Sequence, residues 1–130
     1  MTMDRNIFWL VRLENAALAA MAIVLFATTS GNWWLFAVLI LAPDLAFLGY
    51  LKGPRIGALA YNAAHTWLAP ALLGAVSLSG AGPVPAEIGL IWAAHIGIDR
   101  ALGYGLKLSA GFNQTHLGPI GRAKSPPGPA

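Results

Sequence analysis

Several side chains able to ionise or to bind a metal stand inside long apolar stretches of this sequence: Glu14, Asp44, His65, His95, Asp99 and Arg100. His95 and Asp99 are four residues apart, so on a helix they share a face and can touch. Arg100 is turned about 100° from Asp99 and can reach a neighbouring helix. Asn62 and His65 sit on adjacent faces of another stretch, and Asp44 follows Pro43, whose ring and missing N–H bend a helix. Two imidazoles with two or three carboxylates suit one divalent metal ion: zinc, manganese or iron. The expected ligands are Asp44, His65, His95 and Asp99. In a hydrolytic version the metal lowers the pKa of a bound water, and Glu14, Asp44 or Asp99 serves as base. Arg12, Asn62, Arg100 and His116 are the expected contacts to a lipid or another membrane-associated substrate. His116 reads either as a solvated loop residue or as a lid over the polar groups.

The elements that must position these groups are membrane helices. Of the 130 residues, 57% are apolar and 10% charged, against about 25% charged in soluble domains; mean hydropathy is +0.63. Four stretches, about 7–28, 33–51, 56–78 and 88–108, are long enough to cross a bilayer, which takes about 20 helical residues. Asn6 is a candidate cap for the first. Short links predict antiparallel neighbours: an all-α, four-helix, up-down-up-down integral membrane bundle over residues 1–121. A Pro-rich tail, 122–130, is expected to be disordered. Arg5, Lys52, Arg55, Lys107, Arg122 and Lys124 all fall at one end of the crossings, and the other two loops hold no Lys or Arg. The positive-inside rule then puts both termini in the cytoplasm. The tryptophans Trp33 and Trp34 fit the outer aromatic belt.

This topology brings the polar groups to one depth. Counted at 1.5 Å per residue from the cytoplasmic end of each helix, Glu14, Asp44, His65, Asp99 and Arg100 all lie roughly 10–14 Å in. Arg12 is slightly shallower and His95 deeper. Groups this costly in lipid face the bundle interior and one another. With neutral histidines, two arginines and three carboxylates leave a charge of −1, which a proton or part of a metal ion's charge offsets. The same layer could instead handle ions or protons in a transporter, or serve only as a structural or partner-binding network. The outer halves of the helices are almost wholly apolar, which argues against a continuous pore. Small residues on the third and fourth stretches predict that these two pack most tightly. A bundle this small invites homo-oligomerisation, although no pattern specifies it.

Other classes fall away. There is no cysteine, hence no disulfide or thiolate site. The net charge of +3 forms no contiguous basic patch, so nucleic acid is not expected as a partner. The N-terminus has no small-residue cleavage site, and no removable signal peptide is expected. Walker, G-x-S-x-G and H-E-x-x-H motifs are missing.

Several blocks carry a resemblance. Arg12–Glu14 (RLE), Ala42–Leu45 (APDL), Phe47–Tyr50 (FLGY), Gly53–Ala58 (GPRIGA), Tyr61–Thr66 (YNAAHT), Trp92–Lys107 (WAAHIGIDRALGYGLK) and Phe112–Gly121 (FNQTHLGPIG) closely resemble the small bacterial membrane family known as domain of unknown function 4260. That resemblance implies a four-helix protein of the bacterial inner membrane and brings no established activity. It departs at Asn15, where a glycine is usual. A looser likeness is to LexA-binding, inner-membrane-associated metal-dependent hydrolases. It implies a site made from Pro43-Asp44, His65-Thr66 and His95 with Asp99.

Overall fold

A computed structural model describes residues 4–108 and 112–120; the expected tail 122–130 lies outside them. The described chain is helical. Helix α1 (Arg5–Thr29) is capped by Asp4, rather than by Asn6, whose own backbone N–H donates to the Asp4 carboxylate at 2.7 Å. Helix α2 (Trp33–Leu39) starts on an Asn32 cap and leads into a 3₁₀ segment, Ala42–Lys52. Helix α3 (Pro54–His65) follows, then α4 (Leu68–Val76) with a π-turn at Ser77–Ala81, and α5 (Val84–Leu102). Among the described residues two elements are long and apolar enough to cross a membrane, Arg5–Thr29 and Trp33–Lys52, while Leu68–Ala81 is a shorter apolar helix.

The third expected crossing, 56–78, is two helices, and Pro70 explains the break. A proline has no N–H to give the carbonyl four residues back, and its ring clashes with that carbonyl. Four residues before Pro70 is Thr66, where the backbone turns extended. The freed carbonyls find donors on α5: Arg100 Nη2 donates to His65 O at 3.0 Å, and Trp92 Nε1 donates to Ala64 O at 2.5 Å. The fourth expected crossing, 88–108, ends early, at Leu102. Gly103 takes a left-handed φ of 94°. Tyr104 N then donates to Asp99 O, and Gly103 N to Arg100 O, a glycine-terminated helix end. Beyond it the chain is no longer helical, and Lys107 pairs with Thr115 in an antiparallel bridge.

The core lies along α5, whose Ile91, Ala94, His95, Ile96, Gly97 and Arg100 are buried. Its most extensive packing is against α1, through Asn15, Ala19, Ala22 and Phe26, and not against α4 as the small-residue pattern suggested. The reason is Gly97: a β-carbon there would meet Ala19 Cβ at 2.7 Å and Asn15 O at 2.8 Å, so only glycine admits this approach. The 3₁₀ segment packs chiefly on α3. With three residues per turn, Asp44, Phe47 and Tyr50 line up on one face, and Tyr50 lies where a Gly57 side chain would stand.

Candidate metal centre

Three elements bring four side chains to one point. Asp44 comes from the start of the 3₁₀ segment, His65 from the last residue of α3, and His95 and Asp99 from successive turns of α5. One ligand atom from each lies within 4.8 Å of all the others, a group able to hold a metal ion. His95 Nε2 is 3.1 Å from Asp44 Oδ1 and 3.3 Å from Asp99 Oδ2. His65 Nε2 is 3.2 Å from Asp44 Oδ1 and 3.5 Å from Asp99 Oδ2. The two Nε2 atoms are 3.2 Å apart. Tetrahedral ligands at bonds of about 2.0–2.1 Å sit about 3.3–3.4 Å from one another, so these five separations suit a single small cation.

The backbone sets the tautomers. His65 Nδ1 faces Tyr61 O at 2.9 Å, and His95 Nδ1 faces Ile40 O at 2.6 Å. A carbonyl oxygen only accepts, so each Nδ1 carries the hydrogen and donates. On neutral rings both Nε2 atoms are then lone pairs aimed at the same centre as two carboxylate oxygens. Four acceptors converge, and a proton or a cation must sit among them. Outer-shell carbonyls that fix a metal-binding imidazole in this way are a recurring feature of metal sites. The His65 ring also stacks on Tyr61, with centroids 3.8 Å apart and planes at 10°, and Tyr61 packs in turn on Phe47. The histidines are almost fully buried, while the Asp44 and Asp99 side chains keep 35% and 20% of their surface exposed. The exposed side of the cluster is therefore its carboxylate side.

That side opens into a cavity of about 370 Å³ lined by Asp44, Phe47, Tyr61 and Asp99 on the helices, and by Tyr104, Lys107, Phe112, Asn113 and Ile120 on the strap, residues 103–108 and 112–120. Within the strap, Leu108 N donates to Gln114 O and His116 N to Leu106 O.

The remaining expected site residues lie elsewhere. Glu14 is exposed on α1, because Asn15, one residue and about 100° further round, takes the inward position. Arg12 Nε donates to Ala101 O at 2.6 Å, at the end of α5, with its guanidinium over Trp9. Arg100 caps α3. Asn62 spends both ends of its carboxamide on the Lys107 backbone, at 2.8 and 2.6 Å. His116 is exposed on one side only: its Nδ1 edge packs on Gly105 and accepts from Leu106 N–H at 2.7 Å. These four polar groups thus hold backbone together, and none of them lines the cavity. Lys107, which the expected topology put with the other basic residues at the cytoplasmic surface, is instead buried in the cavity wall. Sequence reasoning missed it because an α-helix continued through Gly103 would aim it elsewhere. The G-Y-G run (103–105) was the available signal of a helix stop.

The family described as "Domain of unknown function (DUF4260)" matches residues 9–120. Neither the curated proteins nor the solved structures contain a match.

Proposed function

The chain belongs to the DUF4260 family, which comes with no activity, and from the geometry above we propose that it is a membrane protein holding one divalent metal ion between Asp44, His65, His95 and Asp99. The observation that carries this reading is the convergence of two Nδ1-locked histidines and two carboxylates, which on neutral rings turn four acceptors to one point. Zinc, manganese and iron match this donor set.

We further assign the site to metal-assisted hydrolysis of a lipid or another membrane-associated substrate. The cavity supports it, because the carboxylate edge of the cluster faces open space where a substrate can sit. A metal held there would supply Lewis-acid chemistry and make water easier to ionise near neutral pH. His65 and His95 would hold it through Nε2. Asp44, the more exposed of the two carboxylates, turns Oδ1 to the cluster, and its other oxygen would be the acceptor for a proton from water. Arg100 works one step back, by fixing the α3 end on which His65 is carried.

The bilayer reading rests on the two long apolar helices and on the exposed apolar side chains, such as Leu13, Val38, Leu48, Leu72 and Leu78, spread over the outer surface. With both termini cytoplasmic, the strap and the cavity lie at the cytoplasmic face of the inner membrane.

Elemental analysis of detergent-purified protein tests the metal. We expect one equivalent per chain, lost in His95→Ala and Asp99→Asn. Free metal at a hundred times Kd should stabilise the fold by about 2.7 kcal/mol. A metal-free protein whose thermal stability is untouched by chelator would sink the proposal.

A further inference from the structure

We infer that the cavity beside the cluster is a binding site for a phosphoryl group, with the Lys107 ammonium as its fixed counter-charge; this rests on the metal reading above. Lys107 is only 4% exposed. No carboxylate among the described residues lies within salt-bridge distance of it. Its Nζ instead sits 4.0 Å from the centre of the Phe112 ring and 5.1 Å from that of Tyr61. Aromatic faces offset part of the cost of burying a cation, but less than the cost of a buried charge without a partner. The structure nonetheless invests in the placement. Asn62 grips the Lys107 backbone on both its N–H and its C=O, and the bridge to Thr115 holds it from the other side. The side chain lines the same cavity as Asp44 and Asp99.

The charges decide what the cavity accepts. Asp44 and Asp99 carry two negative charges; Lys107 in the wall and Arg100, outside the lining but close enough to act on Asp99 and Tyr61, carry two positive ones, so these four cancel. A divalent cation in the cluster then leaves a surplus of two positive charges in a half-enclosed, aromatic-walled space. A phosphoryl group carries roughly −1.5 to −2 near neutral pH and meets that surplus, whereas a carboxylate meets half of it. Lysine is suited to phosphate as a compact point charge. Asn113, on the strap, lines the cavity and brings a carboxamide donor. The rest of the wall, Phe47, Tyr104, Phe112 and Ile120, is largely apolar and gives no charge to the remainder of the ligand.

The phosphoryl group could belong to a lipid head group or to a soluble phosphate, and one experiment separates the two. Metal-loaded protein in detergent is titrated with inorganic phosphate, with short-chain phosphatidic acid, and with the matching neutral diacylglycerol. The comparison is with Lys107→Met, which keeps the length of the side chain and removes its charge. We expect phosphatidic acid to bind and diacylglycerol not to, with affinity falling about tenfold or more in Lys107→Met while metal content stays at the parent level. Lys107→Met should also unfold at a higher temperature than the parent without ligand, because it no longer buries a lone cation; a merely structural lysine would give the opposite shift. Lysine-dependent binding of inorganic phosphate as well assigns the site to soluble phosphates, and its absence assigns it to lipid. Should Lys107→Met fail to fold, Asn113→Leu in the same titration replaces it, with the same expected weakening. Metal present but no binding of either phosphate, or equal binding by the variants, overturns this inference alone. No metal in the parent protein overturns the metal reading and this inference together.

Discussion

At the scale of the residue, the division of labour follows from which atoms are left free. The polar groups of Arg12, Asn62, Arg100 and His116 bond to backbone, whereas Asp44, His65, His95, Asp99 and Lys107 present theirs to the cluster and the cavity. His116 shows how a backbone bond makes a histidine pH-sensitive. Burial pushes its imidazole below the usual histidine value, and the positive charge of Arg100 adds to the effect. Its folded pKa thus lies under the unfolded value, so its contribution is complete above about pH 6.5 and is lost as the pH falls from there. Protonation also removes the Nδ1 lone pair that accepts Leu106 N–H. The protection of the Leu106 amide, its exchange corrected for the intrinsic pH dependence, should therefore fall between about pH 7 and pH 5. His116→Asn, which retains an acceptor and cannot titrate, should flatten that dependence. An unchanged profile in the variant would remove His116 as the cause.

At the scale of the element, glycine and proline decide where the site forms. Pro43 lacks the donor that an α-helix needs and sits at the head of the 3₁₀ segment that aims Asp44, Phe47 and Tyr50 along one face. Pro70 breaks the chain at Thr66, which makes His65 a helix terminus whose freed carbonyl Arg100 can cap. Gly97 brings α1 against α5 beside His95. Adding a single methyl there should be costly, since the contacts it would meet are a backbone carbonyl and a helix-borne Cβ, neither the tip of a flexible chain. Gly97→Ala should destabilise the protein by about 1–3 kcal/mol, read as a fall in Tm in detergent. A neutral Gly97→Ala would mean that α1 and α5 pack less closely than described.

At the scale of the whole molecule, orientation is the prediction with most consequence, because it sets which compartment the cavity meets. The chain has no cysteine, so single introduced cysteines report on it without background. Ser30→Cys and Ser79→Cys should react with a membrane-impermeant maleimide from the outer side of intact cells stripped of their outer membrane. Lys52→Cys and Arg55→Cys should react only after permeabilisation. The reverse pattern would place the cavity on the outside and remove a cytoplasmic substrate from consideration. Uniform labelling of all four would speak against a bilayer location altogether.

The sequence alone determined the helical class and which four ionisable side chains come together. Long apolar stretches can satisfy their backbone in only a few ways. Chargeable side chains placed inside them must find one another, so Asp44, His65, His95 and Asp99 were legible as a group before any coordinates. The conformations of the connecting chain were not legible, because they depend on partners distant in sequence. The 3₁₀ winding of Ala42–Lys52 is paid back in packing on α3. The break at Thr66 holds because α5 supplies donors to the carbonyls it frees. The early end of α5 turns Lys107 from an expected surface residue into a buried cation. Glu14 lies one residue, about 100° of helix, from the buried face. Depth along a helix can be counted from sequence, but which neighbour covers which face is decided only by close packing, and here Gly97 sets that packing.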